Sequence, residues 1–295
     1  MNKFFYGDKG LQAAQNGYFE GWYLKHQTPT ETVALIPAYH RDKTGEKASL
    51  QVITEREAFC IPFSAQDMQA EKNKMFLRLK NNTFSGGGCR LCCSSPQGEI
   101  AGELRYTPFS PPKYSIMGPF ACVPGMECSH NVYSYHHHVW GSLNINGRVI
   151  QFKNALGYME GDRGTSFPQK YLWTQCSFAN GCIMLAAGDI PIGLFSFTGS
   201  IGTVWAKGRE YRLATYLGLT ILRLTPQELW VRQGTVELRA CLLHSREKPL
   251  LAPCLGAMSR TIHENAASVV RYQLWVKGNK KLDVVTNRAS FEYGG

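Results

Sequence analysis

Short stretches that alternate apolar and polar residues recur along nearly the whole chain, and this pattern limits the fold more than any other feature. Examples are residues 32–36 (TVALI), 49–53 (SLQVI), 75–79 (MFLRL) and 171–178 (YLWTQCSF), separated by glycine, proline or asparagine turns. Alternation with a period of two is typical of β-strands, and many short strands at regular spacing indicate a barrel or sandwich. The sequence therefore predicts an all-β fold with few short helices.

A few segments need their own interpretation. A turn is expected around Gly118 to Cys128, and a short helix is expected from Ala257 to Ala267, where Ser259 can act as the N-terminal cap. We interpret Ser142 to Phe152 as one strand. Gly86 to Gly88 is expected to form a hairpin turn, because no helix and no P-loop lysine follow it.

The two halves of the chain echo each other weakly. Each half opens on an aromatic-rich strand, at residues 18–23 (YFEGWY) and 171–173 (YLW). A chain of 295 residues can form one large β domain or two smaller ones. We expect two β units, covering residues 1–125 and 126–295; coincidence among β-rich segments is the alternative.

The positive charge of the chain is not concentrated in one place. The net charge is +10, and the densest basic group is Lys277, Lys280 and Lys281. A nucleic-acid-binding protein would more often show a basic stripe or a known motif, and neither is present. We therefore expect no nucleic-acid partner and, at most, peripheral contact with anionic lipid headgroups. Dinucleotide, P-loop and GxSxG motifs are also missing, so we expect no cofactor.

The ten cysteines do not follow a disulfide pattern. Cys92 and Cys93 are adjacent, and Cys176 and Cys182 lie in apolar strand-like runs. A free cysteine in such a run acts as a small hydrophobic residue. The first residues lack the long apolar core of a signal peptide, and no apolar stretch is long enough to span a bilayer. We expect a reducing, cytoplasmic location.

Charged and aromatic residues are most concentrated between Gly157 and Cys176. Glu160 and Asp162 are separated by one residue, so in an extended strand they point the same way, and two neighbouring carboxyls can share a proton. The alternative is a simple turn, in which Asp162 caps backbone amides and Arg163 pairs with Glu160. The aromatic neighbours favour a pocket for an apolar substrate with one polar reacting end. These neighbours are Tyr158, Phe167, Tyr171 and Trp173.

Three consecutive histidines provide a second group of candidates. In a strand, His136 and His138 share a face and His137 points away. Two imidazoles on one face could begin a metal site with Glu160 or His130 as a third ligand, but the sequence contains no fixed spacing for that ligand. We favour a pair that handles protons or orients the substrate, and we assign no metal.

A further acid, Glu20, lies between Phe19 and Gly21. It is either a surface residue beside buried neighbours or a carboxyl in an apolar pocket. In the second case, the cost of burying the charge lets the carboxyl keep a proton that it can donate.

Several motifs together resemble the tocopherol cyclase family. In chain order they are FEGWY (Phe19 to Tyr23), SYHHHVWG (Ser134 to Gly141), Glu160, GTSFP (Gly164 to Pro168) and YLWTQ (Tyr171 to Gln175). Their order and separation match the family, and the resemblance covers most of the chain. One departure is that Arg163 stands where plant-type members have tryptophan, so a guanidinium replaces an indole beside the presumed acid.

The resemblance extends to lipocalin-like two-domain β proteins that include carotenoid hydratases and Diels-Alder-type cyclases. It implies two lipocalin-like antiparallel barrel or sandwich units packed together. It also implies a cofactor-free reaction in which a carboxylic acid protonates an alkene and a phenol oxygen closes the ring, while aromatic faces stabilise the cation. The implied catalytic residues are Glu160, Asp162, His136, His138, Glu20 and Arg163. The implied substrate-binding residues are Trp22, Tyr23, Tyr158, Ser166, Phe167, Trp173 and Gln175.

Two other functions fit the same residues. A lipocalin-like carrier would hold a hydrophobic ligand and use the polar cluster only as an anchor. A hydratase or another isomerase on the same scaffold would act on a terpenoid or phenolic compound. In each case the expected partner is a hydrophobic small molecule, and the sequence predicts no particular oligomeric state.

Overall fold

The computed structural model describes residues 17–123, 126–179, 181–192, 195–206, 208–245 and 248–294, with the backbone alone for 191–192, 248–252 and 259–265. These residues form two antiparallel sheets of eleven and ten strands. The helices among them are short 3-10 turns at Ala65–Asp67, Gly118–Cys122 and Thr215–Leu217. None of these helices has the length and hydrophobicity that a membrane span requires. The predicted all-β class is confirmed.

The first sheet contains the first eleven strands. They are β1 (Tyr18–Gln27), β2 (Thr32–Asp42), β3 (Gly45–Thr54), β4 (Ala58–Ser64), β5 (Met68–Ala70), β6 (Phe76–Leu79), β7 (Asn82–Ser85), β8 (Gly88–Ser95), β9 (Gly98–Tyr106), β10 (Cys128–Ile145) and β11 (Arg148–Gly164). Their order is β4-β3-β2-β1-β11-β10-β9-β8-β7-β6-β5. The sheet curls on itself, as the contact of β4 with the turn between β8 and β9 shows: the Cys60 N–H donates to Gln97 Oε1 at 3.2 Å.

The second sheet contains the remaining ten strands. They are β12 (Tyr171–Phe178), β13 (Gly181–Ile192), β14 (Phe195–Ala206), β15 (Arg209–Ala214), β16 (Thr220–Thr225), β17 (Glu228–Gln233), β18 (Val236–His244), β19 (Lys248–Cys254), β20 (Ala257–Val276) and β21 (Asn279–Gly294). Their order is β15-β14-β13-β12-β21-β20-β18-β17-β16, and β19 pairs with β20 outside this path.

Each sheet has a hydrophobic core of its own. Trp22, Leu35 and Phe152 belong to the first core, whereas Leu238 and Tyr272 belong to the second. Both cores contain side chains that alternate along their strands, as expected for sheets with one face turned inward. Period-two alternation in the sequence therefore corresponds to burial in the structure.

The described residues fall into two compact units. The first takes those within Met1–Pro111, His130–Phe167 and Leu251–Arg260, and the second takes those within Pro112–Ser129, Pro168–Leu250 and Thr261–Gly295. The first sheet extends past residue 125, where the sequence suggested a boundary. The reason is that β10 and β11 lie between β9 and β1 in that sheet.

Two local predictions were wrong. The segment Ser142 to Phe152 is not one strand, because Asn146 and Gly147 form a two-residue turn between β10 and β11. Their φ angles of 50° and 81° are both positive, as a type I′ hairpin turn requires. The helix expected from Ala257 to Ala267 is the start of strand β20, where pairing with neighbouring strands overrides the local signal. The hairpin turn expected at Gly86 to Gly88 is confirmed, since Ser85 pairs with Gly88.

Candidate functional site

Strands β1 and β11 divide the predicted site residues between the two faces of the first sheet. They pair antiparallel, with Tyr23 opposite Glu160 and Glu20 opposite Arg163. Directly opposed residues project to the same face, and successive residues alternate. Trp22 belongs to the hydrophobic core, so Glu20 and Arg163 lie on the core side. Tyr23 and Glu160 therefore lie on the other side.

We call the side away from the core the acid face and define it by Tyr23, Tyr158, Glu160 and Asp162. The prediction that the two acids share a face agrees with this strand geometry. Tyr158 is 1% exposed and Glu160 is 3% exposed, so these groups are withdrawn from bulk water. The buried Lys25 lies opposite Tyr158 and was not considered in the sequence analysis.

A hydrogen bond to Asp162 and an ion pair with Glu160 connect the acid face to a histidine of the neighbouring strand. The Tyr158 hydroxyl donates to Glu160 Oε2 at 2.6 Å. His130, on β10, places Nε2 at 3.4 Å from the same Glu160 oxygen and Nδ1 at 2.9 Å from Asp162 Oδ1. One imidazole thus bridges two carboxyls, in place of the Arg163 pairing that the simple-turn interpretation required.

The charge state of this bridge follows from its surroundings. Burial by itself lowers the pKa of His130, but the carboxylates of Asp162 and Glu160 outweigh burial and raise that pKa well above its usual value. His130 is therefore a cation at neutral pH, held between two acids. The cluster contains a proton donor in a buried environment, which is what acid catalysis needs.

The same three residues also have the geometry of a cation site. Ligand atoms of His130, Glu160 and Asp162 lie within 4.8 Å of one another. One imidazole nitrogen and two carboxylate oxygens are a donor set that divalent metals accept. The sequence offered Glu160 or His130 as a third ligand beside His136 and His138. In the structure both lie together with Asp162 instead.

Sequence reasoning missed the central role of His130. It considered this residue only as a third metal ligand beside His136 and His138. The missed signal is Asn146-Gly147, a strong hairpin signature. Strand β10 ends and β11 begins at this turn. Counting the same number of residues away from the turn in both directions therefore places His130 beside the region of Asp162.

The histidine pair lies elsewhere on β10. His136 and His138 share a face, with ring centroids 4.9 Å apart, as predicted. Burial, together with the neighbouring His138, lowers the pKa of His136. Six residues of strand separate His136 from His130, about 20 Å along β10. His137 is buried, and its Nδ1 lies 3.0 Å from Ser134 Oγ.

Glu20 is a buried carboxyl and not a surface residue. It is 3% exposed, and its Oε2 accepts a hydrogen bond from the Tyr18 hydroxyl at 2.6 Å. The pair repeats the Tyr158–Glu160 arrangement, two residues apart on one strand. Because Glu20 projects to the core side, the structure does not bring it together with Glu160.

Ser166 and Phe167, in the segment after β11, make contacts that anchor this segment. Ser166 Oγ accepts a hydrogen bond from the Leu255 N–H at 2.8 Å, and the Phe167 N–H donates to the Pro253 carbonyl. The Phe167 ring packs edge-on against Phe19, with centroids 5.3 Å apart. These contacts hold the end of β11 in place.

In the second unit, Trp173 and Gln175 lie on the face of β12 that points away from its core. Leu172 and Cys176, which alternate with them, belong to that core. Trp173 lies opposite Glu292 on β21, and Glu292 accepts a hydrogen bond from the Tyr171 hydroxyl. Sequence reasoning did not select Glu292, a buried acid.

The sequence of this chain is related to plant tocopherol cyclases. A probable chloroplastic tocopherol cyclase from Oryza sativa subsp. japonica is 26% identical over 221 residues, which cover 68% of this chain and 43% of the rice protein. The chain thus spans less than half the length of this curated relative.

Solved structures show the same fold at low sequence identity. The crystal structure of CghA has a TM-score of 0.61 at 10% identity and covers 95% of this chain and 88% of its own. Kievitone hydratase from Nectria haematococca has a TM-score of 0.54 at 12% identity, covering 98% and 93%. The lipocalin-like fold expected from the motifs is confirmed.

The sequence profile of one family covers the part of the acid face on β11 and the whole second sheet. The profile described as tocopherol cyclase-like matches residues 97–295, which is more than half of the chain. That range contains β10 and β11, with His130, Glu160 and Asp162. The chain therefore belongs to the tocopherol cyclase-like family.

Proposed function

We propose that this protein is a cofactor-free cyclase that protonates an alkene of a hydrophobic substrate, such as a prenylated phenol or a terpenoid-like compound. The observation that carries the proposal is the buried cluster of Glu160, His130 and Asp162. A carboxylate that accepts a hydrogen bond from a phenol and faces an imidazolium can take the imidazolium proton and pass it to a substrate away from water. Family membership supports the same class of reaction.

In this proposal Glu160 is the acid. Glu160 receives the proton that it donates from the His130 imidazolium, whose Nε2 faces Oε2, and the Tyr158 hydroxyl donates to the same oxygen. The proton moves to one alkene carbon, and the electron pair of the double bond forms the new C–H bond. The phenol oxygen then bonds to the cationic carbon, and the phenol proton returns to the cluster. The product has the same mass as the substrate.

His130 and Asp162 keep the acid supplied with protons. His130 Nε2 faces the Glu160 oxygen and can return a proton to it, while Asp162 holds Nδ1 and the cationic form of the ring. The neighbouring aromatic rings of Tyr158 and Tyr23 are suited to stabilise a carbocation. Burial of the face excludes water that would otherwise capture the cation.

The test is the Glu160→Gln variant with a prenylated hydroquinone as substrate and mass spectrometry of the product. Because general acid catalysis contributes roughly 100-fold or more, Glu160→Gln should lower turnover by at least that factor without unfolding the protein. Glu103→Gln, at a surface carboxylate on β9, is the matched control and should keep full turnover. Full activity of Glu160→Gln would remove Glu160 from the mechanism.

The product distinguishes the alternatives. A product of equal mass indicates cyclisation or isomerisation, and a gain of one water indicates hydration. Recovery of unchanged compound in stoichiometric complex indicates a carrier. Turnover should persist in EDTA; loss in EDTA and recovery with a divalent cation would instead assign His130, Glu160 and Asp162 to a metal centre.

A further inference from the structure

The first sheet has an open seam between strands β4 and β8. A cleft of about 450 Å³ lies there, within the range of about 300–1,000 Å³ that is usual for ligand sites. Its walls are formed by residues 61–64, 80–82 and 92–94 and by Asp67. None of these residues belongs to the family motifs or to the range that the family profile matches. We call this site the seam cleft.

One wall of the seam cleft is a strand edge without a partner strand. β7 has four residues and β8 has eight, and the ladder between them ends at the pair Thr83 and Arg90. Beyond this pair, the Cys92 N–H donates to the Asn82 side chain at 2.8 Å. The Asn82 amide thus ends the ladder, and among the described residues the rest of β8 pairs with β9 alone.

The ladder between β8 and β9 shows which main-chain groups face the cleft. The Tyr106 N–H donates to the Gly87 carbonyl, and the register of the two strands has no shift. In an antiparallel ladder, directly bonded pairs alternate with pairs whose N–H and C=O groups point to the other edge. Ser94 therefore directs both its N–H and its C=O into the seam cleft, on the same edge as the Cys92 N–H.

The other wall is the edge of β4, which a proline interrupts. β4 is an edge strand, and the Thr54 N–H donates to the Glu57 carbonyl at the turn before it. The same alternation, counted from this bond, directs Cys60 and Pro62 to the free edge. Cys60 donates to the turn between β8 and β9, but Pro62 has no N–H to donate. The seam therefore closes at Cys60 and stays open at Pro62.

The side chains around the seam cleft differ between its inner and outer sides. Phe63 and Cys93 pack against the hydrophobic core, so the inner side is apolar. Lys80 is exposed and forms no ion pair with a described residue. An extended peptide has N–H and C=O groups that match an open strand edge, and its side chains alternate between two sides. This combination fits the seam cleft better than a compact ligand does.

We propose that the seam cleft binds an extended peptide, which adds a short strand to the edge of β8 at Ser94, in line with β7. Three or four residues of peptide cover the open edge, about 10–13 Å. An apolar side chain of the peptide contacts Phe63, and an acidic side chain pairs with Lys80. The Pro62 carbonyl accepts a further N–H from the opposite wall. The inference does not depend on the proposed function, because none of these residues takes part in the proposed catalysis.

The test is fluorescence anisotropy of the full chain with a fluorescein-labelled peptide of sequence Thr-Val-Glu-Val-Thr. A second peptide has the same sequence but is N-methylated at each internal residue, so it cannot donate to a strand edge. Because each lost hydrogen bond weakens binding several-fold, the methylated peptide should bind at least about fivefold more weakly. Equal affinity of the two peptides, or no binding of either, would overturn the proposal.

Alkylation of cysteines locates the bound peptide. Cys92 is exposed and lines the seam cleft, whereas Cys122 and Cys254 are exposed outside it. With peptide at about ten times its dissociation constant, the reaction of Cys92 with N-ethylmaleimide should slow about tenfold. The other two thiols should react at the rates of the free protein. Binding that leaves Cys92 unprotected would place the peptide elsewhere and overturn the seam cleft as its site.

The variant Lys80→Asn tests the acidic contact. Lys80 has a φ of 57°, a left-handed conformation that asparagine tolerates, so the turn should keep its shape. The substitution should weaken the glutamate peptide by about 1.5- to 5-fold and leave its glutamine analogue unchanged. Lys74→Asn, at an exposed lysine outside the cleft, is the matched control and should change neither affinity. Equal effects of Lys80→Asn on both peptides would overturn the preference for an acidic side chain.

Discussion

Three buried histidines in the first unit differ in pKa because their charged neighbours differ. Burial lowers the pKa of His26 to about 3, and it is the main cause of the lowered pKa of His137. His130 is also buried, yet its pKa is raised, because Asp162 and Glu160 supply negative charge on both sides of the ring. The first two are therefore neutral packing residues, whereas His130 is a cation.

These shifts predict a two-sided dependence of stability on pH. A histidine with a raised pKa stabilises the folded state fully below pH 6.5, and this contribution is lost as pH rises through the folded-state pKa. A histidine with a lowered pKa, such as His26, costs stability as pH falls from 6.5 toward 3, because the unfolded chain binds the proton. The free energy of unfolding should thus decline on both sides of about pH 6.5.

The variant His130→Gln isolates the alkaline side of this profile. Urea denaturation between pH 5.5 and 9 should show a flatter alkaline decline in His130→Gln than in the parent, with the acid decline unchanged. His244→Gln, at an exposed position on β18, is the control and should leave both declines as they are. An alkaline decline of parental steepness in His130→Gln would contradict a protonated His130 in the folded state.

At the scale of elements, β11 packs closely against its neighbours at two glycines, where a side chain would not fit. A Cβ atom on Gly157 would lie 2.2 Å from His137 Nε2, and one on Gly161 would lie 2.9 Å from the Gly21 carbonyl oxygen and Tyr133 Cε2. Glycine at these positions lets β11 pack closely on its core side. The tight packing fixes the strand that presents Glu160 and Asp162 on the acid face.

Gly157→Ala is expected to destabilise the protein by about 1–3 kcal/mol, because the His137 ring is buried and has little room to move. Thermal and urea denaturation measure this change. Gly86→Ala is the control, since its added Cβ would meet only the Met75 sulfur at an ordinary 3.8 Å. A parental melting temperature for Gly157→Ala would show that the contact relaxes without cost.

At the scale of the whole molecule, the two units have separate hydrophobic cores. Leu35 belongs to the first core and Leu238 to the second, and both are fully buried. Removing three carbons from such a leucine leaves a cavity and typically costs about 2–5 kcal/mol. Because the cores do not share these side chains, each loss should be felt mainly in its own unit.

Hydrogen exchange resolves this prediction by region. Leu35→Ala should lower the protection of amides in β1 to β4 by about 2–5 kcal/mol and leave β12 to β18 closer to the parent values. Leu238→Ala should produce the reverse pattern. Equal loss of protection in both sheets after either substitution would mean that the whole chain opens as one cooperative unit.

Local alternation made much of the protein predictable. Strand positions, the all-β class, the shared face of Glu160 and Asp162 and the pairing of His136 with His138 all follow from a period of two, which each strand carries in its own residues. The failures have the same origin, since alternation runs smoothly through the Asn146-Gly147 turn and so conceals it. A polar stretch at residues 257–267 likewise carries no local sign of the strands with which it pairs.

Tertiary structure alone decided which side chains meet. The sequence of the chain established that acids and histidines exist in strands, but the register between β1 and β11 separated Glu20 from Glu160, and the position of β10 beside β11 brought His130 to both acids. Strand register depends on contacts between residues far apart in the chain, and a period-two pattern is the same in every register that preserves its faces.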